Sequence, residues 1–481
     1  MLIPGCRHKK IACDYTAQRW RYEMKNLKNE KKCHKGLILI TTLLCFFCEA
    51  EYLVSPATAI TPGPGVVCRV EIDRGVLPAD SPQKALIKVT LDAPPPPIKY
   101  NRPPVNLSIV LDRSGSMAGK KLEKAKDAAI EALRHLGLGD IFSVVVYDHN
   151  VKTVVPAQSA RNAEWIEGKI RQIRSGGRTA LFGGVSQGAS EVRKNIYGRY
   201  VHRIILLSDG IANVGPSTPE DLGRLGTALV KEGISITTVG VGTDYNEDLM
   251  TRLSQNSDGN TYFVESSRDL PRIFAAELGD VLSVVAKKVR ITIECPGGVR
   301  PLKIVGREGR IKGRTVEFLL NQLYGSQEKY ALVEVEIPKG ESGRTMDIAL
   351  VRVSYENPFT QKNEHVSGRA SARFSDDRQE VHKSVNIDVQ RDYNLNLKAI
   401  VLDRAISLSD KGKKKEAVKE LKKSAGELRG LGKQFKDEKL MEEANEMEHQ
   451  AQQIEREGMT KKYRKVLRTK SYQMKNQQLN K

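Results

Sequence analysis

A short segment at 112–116 concentrates oxygen ligands, because Asp112 offers a carboxylate and Ser114 and Ser116 offer hydroxyl groups. The segment directly follows an apolar run at 105–111 that has the length of a strand, and it precedes a helical pattern at 121–136. Carboxylate and hydroxyl oxygens are hard ligands that suit Mg²⁺, Mn²⁺ or Ca²⁺. Serine and aspartate also collect at helix N-caps, so this segment by itself leaves a purely structural role open.

Two further loops bring oxygen-bearing side chains to comparable positions. The segment 176–181 contains Thr179 and precedes a helical pattern, and Asp209 directly follows an apolar run that ends at Ser208. In an open α/β sheet the carboxyl ends of the strands share one edge, and ligands collect there. We therefore expect the three loops to converge on one divalent-cation site.

With these three loops the chain resembles the von Willebrand type A family, whose members carry a metal-ion-dependent adhesion site. The resemblance implies that the serines and, in one state, the threonine ligate the ion directly, while the aspartates act directly or through water. It implies one cation, Mg²⁺ foremost with Mn²⁺ or Ca²⁺ as alternatives, and an open position that an Asp or Glu of a partner protein fills. The site residues implied in this way are Asp112, Ser114, Ser116, Thr179 and Asp209.

Other chemistries fit the same loops poorly. A phosphate-binding loop at 115–120 would have its glycines one residue too close, and Lys121 stands where serine or threonine is required. The glycines at 240 and 242 lack the third glycine of a dinucleotide fingerprint. Neither a zinc-protease motif nor a nucleophile elbow occurs in the sequence. We therefore expect a binding protein rather than an enzyme.

Strand-length apolar runs alternate with amphipathic helical patterns through the middle of the chain. This alternation encodes a parallel sheet with helices on both faces. We predict a doubly wound, mostly parallel, Rossmann-like α/β domain at 100–286. Its predicted strands are 105–111, Ile141–Tyr147, Val201–Ser208 and Ile234–Val241.

The segments on either side of this domain have other patterns of apolar and charged residues. Alternating apolar strands at 66–97 and 287–390 predict a β-sandwich into which the α/β domain is inserted, and the arrangement is similar to bacterial secreted relatives and to inter-alpha-trypsin inhibitor heavy chains. Helical periodicity at 392–458 predicts a hairpin and a third helix. The segment 459–481 is basic and is expected to be a solvated tail, with contact to an anionic surface as the alternative.

The first part of the chain has the pattern of an export signal. Lysines at 25–35 precede an apolar run at 37–48, which is too short to span a bilayer because a membrane helix needs roughly 20 apolar residues. We predict an export segment at 1–59, with a start at Met24 giving more usual proportions. The chain is then periplasmic, cell-surface or secreted, or membrane-anchored if the signal is retained.

Two cysteines, Cys68 and Cys295, lie beyond the export segment. In an oxidising compartment they are candidates for a disulfide, and two buried thiols are the equal alternative.

Bulk composition sets the limits of the functional prediction. Hydrophobic residues make up 40% of the 481-residue chain and charged residues 28%, which is ordinary for folded domains. The net charge of +20 collects towards the two ends, and we expect no specific nucleic-acid binding.

We predict an exported, metal-dependent adhesion or scaffold protein. The alternative is a helper subunit of an ATP-driven intracellular or membrane-associated complex.

Overall fold

The computed structural model describes residues 65–96, 102–197 and 199–478. The predicted export segment at 1–59 lies outside these residues. Among the helices that are described, none is long and apolar enough to cross a membrane.

Strands and helices follow one another in four blocks. The chain begins with β1 (Val67–Ile72), β2 (Val76–Pro78) and β3 (Gln83–Asp92). The second block holds the strands β4 (Val105–Asp112), β5 (Ile141–Tyr147), β6 (Val151–Ser159), β7 (Val201–Ser208), β8 (Ile234–Val241) and β9 (Thr261–Val264). Its helices are α1 (Lys120–Arg134), α2 (Ala163–Arg171), α3 (Leu181–Arg193), α4 (Pro219–Lys231), α5 (Glu247–Asn256) and α6 (Leu270–Leu282).

The third block is a run of strands and the fourth is helical. The strands are β10 (Val284–Glu294), β11 (Arg300–Val305), β12 (Arg310–Lys312), β13 (Thr315–Tyr324), β14 (Glu328–Ile337), β15 (Thr345–Glu356) and β16 (Asn363–Ser375). The helices are α7 (Arg378–Lys383), α8 (Ile387–Asp410), α9 (Lys414–Phe435), α10 (Glu438–Glu457) and α11 (Lys461–Asn476).

The second block forms one sheet with the strand order β6-β5-β4-β7-β8-β9. Strand β6 is antiparallel to β5, and the other neighbours are parallel. Every residue of β4, β7 and β8 is buried, as expected for strands that are covered on both faces. Helices α1, α2 and α6 pack on one face, and α3, α4 and α5 pack on the other. The predicted doubly wound, mostly parallel fold is confirmed.

Two sheets flank this region and share one hydrophobic core, and both are antiparallel apart from the pairing of β2 with β16. One has the order β1-β3-β14-β11 and the other the order β12-β13-β10-β15-β16-β2, in which β2 is parallel to β16. Strand β3 pairs with β14 over ten residues, so segments on either side of the α/β region belong to one sheet. A single residue, Ser283, connects α6 to β10.

The last four helices, α8 to α11, surround a separate apolar core. Residues 461–476, which were expected to belong to a solvated basic tail, instead form helix α11. Leu467 and Tyr472 of this helix are buried, and Arg464 pairs with Glu247 and Asp248 at the start of α5. The basic charge is therefore neutralised within the molecule, and the expectation of a tail was wrong for this segment.

The two candidate disulfide cysteines are free thiols. Cys68 in β1 packs against Gly368 of β16, whereas Cys295 follows β10, which lies two strands away in the same sheet as β16. Two strand spacings amount to roughly 10 Å, which is more than the separation that a disulfide bridges. Burial raises the pKa of both thiols to about 11, so both are protonated near neutral pH.

Candidate metal centre

The candidate site lies at the edge of the central sheet where its parallel strands end. Asp112 is the last residue of β4, and Asp209 directly follows the end of β7. A turn of 3₁₀ helix, Gly115–Met117, carries Ser116 between β4 and α1. Thr179 stands just before α3. The sheet topology thus brings segments that are far apart in sequence to one edge.

Hydrogen bonds link four of the five candidate residues. The Ser114 and Ser116 hydroxyls are 3.1 Å apart, and Ser116 Oγ donates to Asp209 Oδ1 at 2.7 Å. Asp112 Oδ1 accepts from the Ser114 amide at 2.8 Å, and its Oδ2 accepts from the Ser208 hydroxyl at 2.7 Å. Asp112 therefore holds the first loop through one oxygen and the end of β7 through the other, and of the two serines Ser114 is buried and Ser116 is exposed.

The hydroxyl group of the fifth residue, Thr179, lies near Gly210 together with the hydroxyl groups of Ser114 and Ser116. A Cβ atom placed on Gly210 would lie 3.2 Å from Thr179 Oγ1, 3.3 Å from Ser116 Oγ and 3.7 Å from Ser114 Oγ. Three hydroxyl oxygens from two separate loops therefore surround one atom-sized space, which we call the hydroxyl cluster. Together with the two carboxylates, this donor set fits a small, hard divalent cation.

Backbone contacts hold the first two loops against each other. The Gly115 amide donates to the Gly177 carbonyl at 3.2 Å, and the Gly176 amide donates to the Arg113 carbonyl at 2.8 Å. Gly177 has a φ of 77°, and a Cβ there would meet His149 Nδ1 at 2.2 Å, so a side chain has neither the conformation nor the space. Arg113 also pairs with Asp148 at 3.0 Å, which ties the first loop to the end of β5.

Asn213 was not singled out by the sequence patterns. Its side-chain oxygen accepts from the Thr179 amide at 2.9 Å, and its own amide donates to the Thr179 carbonyl at 3.1 Å. This reciprocal pair fixes the threonine from the loop that also carries Asp209. A polar residue four positions after Asp209 was the available signal, but asparagine is common in loops of every kind.

Lys121 is a second residue whose role only the structure reveals. Its ammonium lies 2.5 Å from Asp209 Oδ2, and this aspartate is fully buried. The lysine therefore compensates a buried carboxylate at the edge of the hydroxyl cluster.

Burial is the largest influence on the pKa of Asp112. Burial raises this pKa above the ordinary aspartate value, and the nearby charge of Asp209 acts in the same direction. Hydrogen bonds from Ser114 and Ser208 oppose the shift. Two buried carboxylates on neighbouring strand ends thus favour a positive charge between them. Among the described residues no group of three or more His, Cys, Asp or Glu side chains is arranged to hold a metal ion, so the candidate site depends on its hydroxyl groups as well as its two carboxylates.

Residues 106–276 match the family model of the von Willebrand factor type A domain. The chain therefore contains a von Willebrand factor type A domain, as the three loops predicted. Domains of this family often hold a divalent cation at a metal-ion-dependent adhesion site and mediate protein–protein interactions.

Curated relatives share this region at moderate identity. An uncharacterized protein of Synechocystis is 28% identical over 267 residues, which cover 53% of this chain and 63% of that protein. The human inter-alpha-trypsin inhibitor heavy chain H3 is 28% identical over 181 residues, covering 35% of this chain and 20% of the heavy chain. The chain thus spans less than two thirds of the length of these relatives.

A solved structure extends the likeness beyond the central domain. A von Willebrand factor type A protein from Catenulispora acidiphila superposes with a TM-score of 0.64 over 78% of this chain and 89% of that one, at 18% identity. At this identity the likeness concerns the fold.

Proposed function

We propose that this chain is a metal-dependent protein-binding protein that captures a carboxylate of its partner through one divalent cation. The observation that carries the proposal is the hydroxyl cluster, in which Ser114, Ser116 and Thr179 surround a space that one side-chain carbon would fill. Neutral hydroxyl ligands leave most of the charge of a bound cation uncompensated. That residual charge favours an acidic side chain of a partner.

Each residue has a distinct part in this function. Ser114, Ser116 and Thr179 would hold the ion, and a bound cation supplies an open coordination position for an Asp or Glu oxygen. Asp112 is fully buried and orients the first loop through the Ser114 amide. Asp209 orients Ser116 by accepting a hydrogen bond from its hydroxyl group. Mg²⁺ is the ion we expect first, and Mn²⁺ and Ca²⁺ have compatible ligand chemistry.

The surroundings of the site agree with binding to a large partner. Ser116 and Gly115 are exposed, while Met117 anchors the same turn in the core. Ile211 is 61% exposed and lies two residues beyond Asp209. An exposed apolar residue beside a metal centre gives a partner protein a surface to cover.

We also propose that the chain is exported and acts outside the cytoplasm. The support for this comes from the sequence of residues 1–59, where lysines precede a short apolar run. The alternative of a helper subunit in an ATP-driven complex has no use for such a segment. Localisation of a full-length fusion, with and without residues 1–59, separates the two proposals, because a cytoplasmic protein in both cases contradicts export.

Calorimetric titration of Mg²⁺ and Mn²⁺ into the metal-free protein tests the site. We expect one ion per chain, with binding lost in Asp112→Ala and Asp209→Ala and kept in Asp244→Ala, an exposed carboxylate on a neighbouring loop of the same edge. A wild-type protein that binds neither ion contradicts the proposal.

The carboxylate step needs its own test. Metal-loaded protein is applied to an immobilised peptide library in which each Asp and Glu peptide has an Asn or Gln counterpart. We expect retention on acidic peptides that is removed by EDTA and by Asp209→Ala. Ion binding without any preference for acidic peptides would remove the carboxylate from the proposal and leave the metal centre standing.

A further inference from the structure

A cavity of about 400 Å³ lies where the α/β region, the sandwich and the helical region meet. Its wall includes Asn256 of α5, Arg307 of the loop between β11 and β12, and Tyr472 of α11. We call it the junction cavity. Its volume falls in the range of small-molecule sites, which often occur at domain interfaces.

Arg307 is a buried cation whose charge is poorly compensated. Its side chain is 10% exposed, and its Nη2 donates to the neutral Gln477 Oε1 at 2.8 Å. Its Nη1 lies 3.9 Å from Asp258 Oδ1, beyond hydrogen-bond distance. Among the described residues its buried Nε has no hydrogen-bond partner. Arginine in such a place is suited to a ligand that presents two oxygens side by side.

Asp258 is not a dedicated counter-ion of Arg307, because its carboxylate also contacts Asn321 and Lys329. Its Oδ2 accepts from the Asn321 amide at 2.5 Å, and its Oδ1 lies 3.7 Å from the ammonium of Lys329. Burial lowers the pKa of Arg307 below the ordinary arginine value, and the attraction of Asp258 only partly offsets this. A buried charge without a close counter-ion is costly, and an anionic ligand would remove that cost.

A second unsatisfied atom belongs to Asn256, another residue of the cavity wall. Asn256 Nδ2 donates to the Gly223 carbonyl at 3.1 Å, whereas its buried Oδ1 has no hydrogen-bond partner among the described residues. An amide oxygen accepts, so it complements a hydroxyl group rather than another anionic oxygen.

The outer wall adds positive charge. Arg290 and Arg310 line the cavity and are exposed, and neither forms an ion pair with any described residue. The wall's Asp403, in contrast, is engaged by Arg468 and Lys475. The wall also holds Glu317, which stands opposite Arg310 in the sheet, and Glu308, which pairs with Arg252. Five basic and four acidic side chains line the cavity, and this small excess of positive charge favours the approach of an anion from solvent.

From these contacts we propose that the junction cavity binds a small hydroxylated anion, whose phosphate or carboxylate group pairs with Arg307 and whose hydroxyl group pairs with Asn256. The site is separate from the metal centre. Because its walls come from three parts of the molecule, the ligand stabilises their association.

Calorimetric titration of the full chain tests this proposal, with EDTA present so that no metal contributes. The probes are glycerol 3-phosphate and glycerate, which share a hydroxylated remainder and differ in the anionic group, and inorganic phosphate, which lacks the hydroxyl. We expect one site per chain for one of the two hydroxylated probes, with at least tenfold weaker binding of inorganic phosphate. The preferred probe identifies the anionic group.

Variants decide whether the binding belongs to the cavity. We expect Arg307→Gln to weaken binding at least tenfold, and Arg300→Gln to leave it unchanged, because Arg300 pairs with the exposed Glu336 on the outer surface. If Arg307→Gln fails to fold, Asn256→Asp serves instead, since a carboxylate there repels the ligand. Equal affinity in wild type and a folded cavity variant overturns the proposal, and so does the absence of binding for all three probes at millimolar concentration.

Discussion

At the scale of single residues, the space above Gly210 is the feature on which the metal centre depends. Gly210→Ala places a carbon within 3.2 to 3.7 Å of all three hydroxyls of the cluster. We expect divalent-cation binding to fall at least tenfold while the fold is kept, because the carbon takes the place of the ion. The control is Gly279→Ala, whose new carbon meets nothing within 4 Å. Unchanged affinity for Mg²⁺ in Gly210→Ala would place the ion elsewhere.

Lys121 sets the charge that an incoming cation meets. Its ammonium lies 2.5 Å from Asp209 Oδ2 and is 37% exposed at the side chain. Removing it in Lys121→Gln frees the carboxylate and takes away a repelling charge. We therefore expect Mg²⁺ affinity to rise, by about threefold to tenfold at low salt and less at high salt.

The matched control for this variant is Lys120→Gln, which removes an exposed lysine one residue earlier. It should change affinity little. A weaker rather than stronger metal affinity in Lys121→Gln would mean that the lysine orders Asp209 for binding instead of competing with the ion.

Sequence patterns identified the oxygen-bearing residues of the site but not the residues that position them. Asp112, Thr179 and Asp209 were found because each stands where a strand or helix pattern begins or ends. Lys121 begins the predicted helical pattern but carries no oxygen ligand, and Asn213 lies beyond the end of any predicted strand or helix. The roles of both residues depend on which loop faces which across the sheet edge. Which loops face each other is decided by the folded structure, and no periodic pattern in the sequence indicates it.

At the scale of secondary-structure elements, the docking of α11 is the clearest departure from expectation. Leu467 of this helix is fully buried in the core of the helical region, while its neighbour Val466 is 37% exposed. Leu467→Ala should lower the free energy of unfolding by about 2–4 kcal/mol through lost burial and a cavity. Val466→Ala should cost less than about 1 kcal/mol. Urea denaturation measures both, and equal small effects would indicate a solvated segment.

The reason for this departure is visible in the ion pairs of the helix. Residues 461–476 contain no acidic residue, so their composition resembles that of a solvated tail. The compensating acids lie far away in sequence, as with Glu247 for Lys465 and Asp410 for Arg464. Only the folded arrangement brings them within reach.

The bounds of a strand follow from the sequence where the strand is buried on both faces, and they follow less clearly where burial is partial. The bounds of β5, β7 and β8 agree with the predicted runs, because strands covered on both faces are almost entirely apolar. Strand β16 lies inside the predicted sandwich segment 287–390, but its bounds do not follow from an apolar run, because it alternates between exposed and half-buried residues over most of its length and is rich in polar side chains. Strand β6 contains Pro156, which favours an edge position, and β6 does lie at the edge of its sheet.

At the scale of the whole molecule, a buried polar junction connects the α/β region to the sandwich. Arg203 of β7 is fully buried and donates to Gln322 and Tyr324 of β13, each at 2.6 Å. Its Nη1 also lies 3.4 Å from Glu277 of α6. Buried charges that are paired on several sides tolerate little displacement, so this junction favours one relative orientation of the two regions.

His202 lies beside Arg203 and makes the same junction sensitive to pH. Its Nε2 is 3.2 Å from the Ile196 carbonyl, which requires a proton on that nitrogen, and its Nδ1 is 3.3 Å from Asn106 Nδ2, which requires an acceptor. The ring is therefore neutral in the folded protein. Burial lowers its pKa to about 4, and the positive charges of Lys287 and Lys288 add to this while Glu356 opposes it.

This shift predicts how stability responds to acid. In the unfolded chain the histidine pKa is about 6.5. As the pH falls from 6.5 to 4, His202 therefore becomes protonated in the unfolded state but stays neutral in the folded state. His202 should therefore lower the free energy of unfolding progressively across this window, by at most about 3 kcal/mol, with no further loss below pH 4. His202→Gln keeps one donor and one acceptor without a titrating group, and its stability should fall less steeply between pH 6.5 and 4. Urea unfolding at half-unit pH steps measures the free energy of unfolding of each variant. His449→Gln, which changes an exposed histidine, should follow the wild-type curve. If His202→Gln also follows the wild-type curve, His202 is not the group responsible for the loss of stability.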